Sequence, residues 1–218
     1  MRKFVAEALG TFILVFLGTG AAVLGGGADN IVGYGAIGLA FGLAVVIAAY
    51  TVGSVSGAHL NPAVSLAFWM NKRITAQECG TFVAGQVVGA FLGSGLLAFV
   101  TGSTAALGQN IVQEGYSLAT GGIIELVLTF LLVLVVLSVT SETKGHPQIA
   151  GAIIGLTLLA GHFVGVPVSS MSVNPARSLA PAVLAGGQAM SQLWLFMIWP
   201  MVGGALAAVT HRTLIEAE

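Results

Sequence analysis

The chain has 218 residues, and only 7% of them are Asp, Glu, Lys or Arg, with a mean hydropathy of +0.99. Soluble domains carry about 25% charged residues, so this composition excludes a water-soluble fold and predicts an integral membrane protein. The net charge is −1 and no basic run is present, which argues against a nucleic acid partner.

Six segments are long and apolar enough to cross a bilayer as helices, which takes about 20 residues. In chain order they are 4–24, 34–54, 80–100, 119–140, 149–167 and 192–211. The first follows Arg2 and Lys3, as in a signal peptide. Its apolar run continues to Leu24 without a convincing processing site, so we interpret it as the first span.

Two shorter segments, 61–71 and 174–185, follow the second and the fifth span. Each opens with the same tripeptide, Asn61-Pro62-Ala63 in the first and Asn174-Pro175-Ala176 in the second. Asn caps free N–H groups at a helix start, and Pro suits the first helical position. Each helix would be ~15 Å long, half of a ~30 Å hydrocarbon core. Irregular backbone at that depth is tolerated only inside protein or beside water, so the pair predicts a functional site.

The two halves of the chain resemble each other. Glu7 and Glu125 occupy equivalent places in the first and fourth spans, each followed by a Thr-Phe pair at the same spacing. An odd number of spans per half would make the second half enter the membrane from the opposite side. We therefore predict one transmembrane domain over 1–218, an all-α inverted repeat of 1–105 and 118–213 with its site between the repeats.

The basic residues predict the orientation. With a cytoplasmic N-terminus, the outer loops contain Asp29 and Glu114 and no Lys or Arg other than Arg177. The cytoplasmic side then carries Arg2, Lys3, Lys72, Arg73, Lys144 and Arg212. Both termini are predicted on that side. Arg177 directly follows the second tripeptide, and a charge at membrane depth is either functional or part of a structural ion pair.

The remaining patterns are less specific. Gly85, Gly89 and Gly93 recur every four residues, a spacing that predicts close helix packing. His162, on an apolar span, is either a core residue or a pore residue. We interpret His59 as a packing residue, because no Cys/His spacing indicates a metal site. No pairing of a nucleophile with a base indicates an enzyme.

The segments around the two tripeptides, 56–64 and 172–178, resemble the major intrinsic protein family, the aquaporins. Bacterial water channels of the Z type are nearest in look, and the resemblance covers essentially the whole chain. It implies a homotetramer in a bacterial inner membrane, with one pore per subunit. It also implies that Glu7 and Glu125 are buried acceptors that support the half-helix loops, beside His59. We favour this role for the glutamates over that of proton carriers.

The narrowest constriction of that family is formed by four positions. By resemblance they are Phe41, His162, Met171 and Arg177 in this chain. His is typical of water-selective members at the second position, where glycerol channels usually have Gly. Met171 departs from the pattern, because water channels usually have a small or polar residue there. Its flexible thioether either narrows the pore or folds aside.

These observations predict a passive water channel that needs no cofactor and no metal. Water would pass in single file beside Asn61, Asn174 and Arg177, with carbonyl groups of 57–60 and 170–173 along one wall. The two helix N-termini and Arg177 would exclude protons and ions. Three alternatives stay open: a channel for glycerol, hydrogen peroxide or other small neutral solutes, an anion-coupled transporter, and a structural protein with an occluded pore.

Overall fold

The computed structural model of the chain describes residues 1–27 and 31–216, so Asp29 of the predicted outer loop lies outside the described residues. In chain order the helices are α1 (Arg2–Leu24), α2 (Ile31–Ser56), α3 (Pro62–Met70), α4 (Ala76–Thr101), α5 (Leu118–Val139), α6 (Ala150–Ser169), α7 (Pro175–Ala185) and α8 (Gly187–Thr210). Six of them are long and apolar enough to span a membrane. No strand occurs within the described ranges. The predicted all-α membrane fold, six spans with two short helices, is confirmed.

The observed helices begin and end within a few residues of the predicted spans, except at the start of the last one. α8 begins at Gly187 rather than at 192. The residues added to it include Gln188 and Ser191, which lower the local hydropathy without preventing a helix from forming. α6 is preceded by a 3-10 turn over Pro147–Ile149, and α8 runs into a π-helical turn over His211–Ile215.

The long helices form two groups that meet along one contact. α1 packs against α2 and α4, and α5 packs against α6 and α8. α2 packs against α6 and joins the two groups. The short helices α3 and α7 each contact α4 and α8, and they also contact each other. The division into repeats of 1–105 and 118–213 stays a prediction.

Glycines allow several of these helices to approach closely, as the spacing of Gly85, Gly89 and Gly93 predicted for α4. A methyl group on Gly89 would lie 2.1 Å from the carbonyl oxygen of Ala8, so α4 and α1 approach through their backbones. A methyl group on Gly42 would lie 2.6 Å from the carbonyl oxygen of Gly155, across the α2–α6 contact. Small residues at such crossings allow dispersion contacts along the whole helix, which is the main attraction between helices in lipid.

The loop between α4 and α5, residues 102–117, folds back over the end of α6. The Asn110 side-chain amide donates a hydrogen bond to the carbonyl of Ser170 over 3.1 Å. The backbone N–H of Gln113 donates to the carbonyl of Val168 over 2.9 Å. These contacts bring the loop to the segment that leads into α7.

Candidate pore and constriction

Asn61 and Asn174 cap the two short helices and also connect them. The Asn61 side-chain oxygen accepts the N–H of Ala63 at 2.9 Å, while its amide nitrogen donates to the carbonyl of Val173 at 2.7 Å. Asn174 accepts the N–H of Ala176 at 3.1 Å and donates to the carbonyl of Leu60 at 2.7 Å. Each amide therefore binds the loop in front of the opposite helix. An amide nitrogen carries two hydrogens, so one N–H of each Asn is left for another acceptor.

The two prolines occupy the first helical position of α3 and α7, as their place in the tripeptides predicted. Pro62 and Pro175 lack the N–H that would have no partner at a helix start. Ala63 and Ala176, one residue further along, are buried and supply the N–H groups that the caps accept. The backbone N–H groups of both helix starts thus lie close to the two amides.

Glu7 binds the loop before α3 from the inside of the bundle. Its carboxylate accepts the hydroxyl of Ser56 at 2.6 Å and the backbone N–H groups of His59 and Leu60 at 2.9 and 2.8 Å. The side-chain amide of Gln86 donates to the same carboxylate at 2.7 Å. These four bonds satisfy the buried acid and hold a loop that makes no helical bonds of its own.

Glu125 makes the corresponding bonds to the loop before α7. Its carboxylate accepts the hydroxyl of Ser169 at 2.7 Å and the N–H groups of Ser172 and Val173 at 2.8 and 2.7 Å. Both loops contain non-glycine residues with positive φ, among them Leu60 at 56° and Val173 at 49°. Such conformations are strained, and they persist where surrounding bonds over-determine them.

His59 lies between α3 and α4 as a packing residue. Its ring contacts those of Phe68 and Phe82 at centroid distances of 4.3 and 4.8 Å. The Nδ1 atom lies 3.1 Å from the Ser65 hydroxyl. No group of three His, Cys, Asp or Glu residues suited to a metal ion occurs among the residues that the structure describes.

Phe41, His162 and Arg177 meet in one cluster, although they come from three different helices. The rings of Phe41 and His162 are stacked with centroids 5.0 Å apart. The guanidinium carbon of Arg177 lies 5.1 Å from the centre of the Phe41 ring. His162 Nδ1 lies 2.7 Å from the carbonyl of Leu158, which only accepts, so Nδ1 carries the hydrogen and Nε2 stays available to accept a hydrogen bond.

Two glycines make room for this cluster. A methyl group on Gly18 would lie 2.3 Å from the Phe41 ring, so the ring rests against the backbone of α1. A methyl group on Gly38 would lie 2.7 Å from Cβ of His162, which lets α2 and α6 approach closely. Because Gly18 and Gly38 have no side chains, the rings of Phe41 and His162 have room to stack on each other.

Arg177 is held by oxygen atoms that carry no full charge. Its Nη1 atom donates to the carbonyl of Gly108 and to the side-chain oxygen of Asn110, both at 2.7 Å. No carboxylate pairs with it among the described residues, and its Nε–H has no hydrogen-bond partner there. These bonds provide no counter-ion for the positive charge. Gly108 and Asn110 were not predicted from the sequence, because they lie in a loop without periodicity.

Met171 is also buried near this cluster, but its side chain turns towards α6. A methyl group on Gly161 would lie 2.5 Å from Cε of Met171, and one on Gly165 would lie 2.8 Å from Sδ. The residue is 2% exposed and packs within the main apolar core. The side chain therefore packs against α6, and the residue also borders the larger cavity next to the cluster.

Two cavities adjoin the cluster. The larger, of about 440 Å³, is bordered by Asn61 and Asn174, and the smaller, of about 200 Å³, by Tyr34 and Gln113. Arg177 borders both cavities. The larger cavity is bordered by residues of the segments before the two short helices and by apolar side chains of the long helices. The apolar lining residues include Val45, Ala49, Leu132, Val136 and Ile154.

Known proteins resemble the chain over nearly its whole length. The family model described as major intrinsic protein matches residues 1–211. A protein of Lactiplantibacillus plantarum named glycerol uptake facilitator protein-like 6 is 42% identical over 98% of both chains. Aquaporin Z of Bradyrhizobium diazoefficiens is 41% identical over 99% of this chain and 94% of its own. The crystal structure of the aquaglyceroporin from Plasmodium falciparum superposes with a TM-score of 0.87 at 26% identity, covering 98% of this chain and 96% of that one.

Proposed function

This chain belongs to the major intrinsic protein family of membrane channels, and we propose that it conducts water passively in single file while excluding protons and ions. The observation that carries the proposal is the cluster of Phe41, His162 and Arg177. The two rings and the guanidinium converge at the border of the larger cavity, and we expect this narrowing to exclude a carbon chain while it offers polar partners to water.

The two Asn side chains support a second contact point for the permeating molecule. Asn61 and Asn174 each use one amide hydrogen on the opposite loop and border the larger cavity, so each has one N–H for a water oxygen. The starts of α3 and α7 add the positive ends of two helix dipoles, each equivalent to roughly half a unit charge. A water molecule between the two Asn side chains would accept a hydrogen bond from each amide, and its own hydrogens would point away from them.

Proton and cation exclusion follows from the same charges. A hydronium ion would have to pass Arg177, which forms no salt bridge among the described residues, and then the two helix N-termini. Each of these positions repels a cation, whereas neutral water is oriented and passes. The permeant proposed here is therefore neutral.

The second candidate is a channel for other small neutral solutes such as glycerol. It is favoured by the 42% identity to a protein named as a glycerol uptake facilitator-like protein. The position of Met171 also favours it, because a side chain that packs against Gly161 leaves space at the fourth position of the constriction. His162 and Phe41 count against it, since both rings occupy the path of a larger solute.

Stopped-flow light scattering of proteoliposomes tests the proposal, with sucrose and then glycerol as the external solute. We expect fast shrinkage in both and no fast re-swelling in glycerol. Vesicles with the double variant Phe41→Ala/His162→Gly should re-swell in glycerol on the order of tenfold faster than vesicles with the unmodified protein, because pore diameter limits solute passage. Phe99→Ala is the matched control, since Phe99 is 83% exposed on the outer surface of the bundle.

Each other outcome has a defined meaning. Fast re-swelling in glycerol of vesicles that contain the unmodified protein would contradict water selectivity and favour a channel for small neutral solutes. Shrinkage no faster than that of empty vesicles would indicate an occluded pore. Saturable, ion-dependent flux would indicate a transporter. The homotetramer stays a prediction, and sedimentation in detergent would test it.

A further inference from the structure

We infer that Gly161 and Gly165 of α6 form a slot that holds the Met171 side chain out of the constriction, and that they thereby set how much water passes. The two glycines are positioning residues that act through Met171. The inference rests on the proposed function for its effect on permeation, but the placement of Met171 can be tested without any flux measurement.

The slot is defined by contacts on three sides of the Met171 side chain. A methyl group on Gly161 would lie 2.5 Å from Cε, and one on Gly165 would lie 2.8 Å from Sδ and 3.0 Å from Cβ. Leu128 of α5 forms the third side, with its Cδ1 atom 2.8 Å from the same point on Gly165. A Cβ atom at either glycine would therefore occupy the space that the thioether uses.

The backbone of Met171 cannot move to relieve such a collision. Its φ of 43° lies in the left-handed region, next to Ser170 at 58°. The following N–H groups, of Ser172 and Val173, are bound by Glu125. Asn110 holds the Ser170 carbonyl from the other side. The Cα–Cβ direction of Met171 is fixed by these bonds, so only the side-chain torsions can respond.

A displaced Met171 side chain has one open direction. Leu128 beside it is buried in the same apolar core as Leu158 and Val166, and close-packed cores do not absorb extra atoms. Met171 also borders the larger cavity, together with His162 and Arg177. The unbranched thioether would therefore rotate into the constriction and narrow the path of water.

Variants of Gly161 provide the sharpest test, because a methyl group there meets only the flexible end of Met171. We expect Gly161→Ala to lower the osmotic water permeability of proteoliposomes on the order of tenfold, since pore diameter limits conduction. Met171→Ala gives the permeability of a constriction without the thioether, and it is the reference for the double variant. The double variant Gly161→Ala/Met171→Ala should recover the permeability lost in Gly161→Ala.

Gly95→Ala is the matched control for adding a methyl group to a helical glycine. Gly95 lies in α4, and nothing is within 4 Å of the added position. A permeability in Gly161→Ala equal to that of Gly95→Ala would overturn the inference. A double variant as slow as Gly161→Ala would do the same, because the loss would then not act through Met171.

Methyl NMR of methionine-labelled protein tests the placement independently of flux. The chain has six Met residues, and the Met171 signal is identified by its loss in Met171→Ala. In Gly161→Ala the displaced Met171 methyl group would approach the rings of Phe41 and His162. We therefore expect a ring-current shift of the Met171 signal that Gly95→Ala does not produce. An unchanged Met171 signal in Gly161→Ala would contradict the proposed slot. If the unmodified protein conducts no water, the proposed function fails while this measurement still decides where Met171 lies.

Discussion

Glu7 and Glu125 are fully buried, and both accept hydrogen bonds from backbone N–H groups. Glu7 accepts four hydrogen bonds, from Ser56, His59, Leu60 and Gln86. A carboxylate only accepts, so it matches a site in which every neighbour donates. This geometry supports the acceptor role over the proton-carrier role.

We expect Glu7→Gln and Glu125→Gln to lower both the stability of the protein and its water permeability. The new NH₂ group would face donors such as the Leu60 N–H, and a buried donor without a partner costs about 1–3 kcal/mol. Thermal unfolding in detergent and proteoliposome shrinkage measure the two effects. Glu114→Gln, in an exposed loop, is the control. Unchanged stability and unchanged permeability in both variants would contradict the acceptor role.

How well single residues could be predicted depended on whether their partners lie in regular structure. The Asn pair, Phe41 and His162 were identified from motifs, and the structure brings them to the borders of one cavity. Asn110 was missed because a loop has no periodicity that would place it beside Arg177. Gln86 was missed although its signal was present, since an amide within an apolar span needs a buried partner.

At the level of helices, glycine positions determine which backbones come into contact. Gly89 faces Ala8 and Phe12 of α1, and a methyl group there would lie 2.1 Å from the Ala8 carbonyl oxygen and 2.9 Å from the Phe12 nitrogen. Gly95 lies in the same helix with open space around it. A substitution by Ala at each of the two positions therefore distinguishes the effect of a close helix contact from the effect of helix propensity.

We expect Gly89→Ala to destabilise the protein, because backbone atoms of α1 cannot rotate away as a side chain can. Overpacking of this kind costs about 1–3 kcal/mol or more. Gly95→Ala should be neutral or stabilising, by up to about 1 kcal/mol, because Ala favours the helix. Equilibrium unfolding of both variants in mixed detergent micelles compares them. Equal stabilities would mean that α1 and α4 tolerate separation at this crossing.

The helices themselves were predicted more accurately than their ends. Apolar runs of the required length identified all six spans, since the bilayer imposes one length on every spanning helix. The start of α8 was wrong because Gln188 and Ser191 continue the helix beyond the apolar run. The contact between α3 and α7 could be predicted from the paired tripeptides. The crossed hydrogen bonds, from Asn61 to the Val173 carbonyl and from Asn174 to the Leu60 carbonyl, could be seen only in the structure.

Across the whole molecule, basic side chains gather at one end of the bundle. Lys3 at the start of α1 pairs with Glu78 at the start of α4 over 2.5 Å. Arg73 donates to the carbonyl of Leu137 near the end of α5, and Lys144 donates to the carbonyl of Ile215 after α8. The loop that carries Glu114 contains no basic residue. This asymmetry supports cytoplasmic termini, because basic residues are retained on the cytoplasmic side.

Site-directed labelling tests that orientation with two exposed glutamates, one from each end. In a Cys79→Ser background, which removes the single cysteine, Glu114→Cys and Glu142→Cys are treated with a membrane-impermeant maleimide on intact bacterial cells. Both positions are exposed, so access depends on the membrane and not on burial. We expect Glu114→Cys to be labelled at once and Glu142→Cys only after lysis. The reverse pattern would place Arg177 nearer the cytoplasm, and the charge asymmetry would then run against the orientation rule that predicted it.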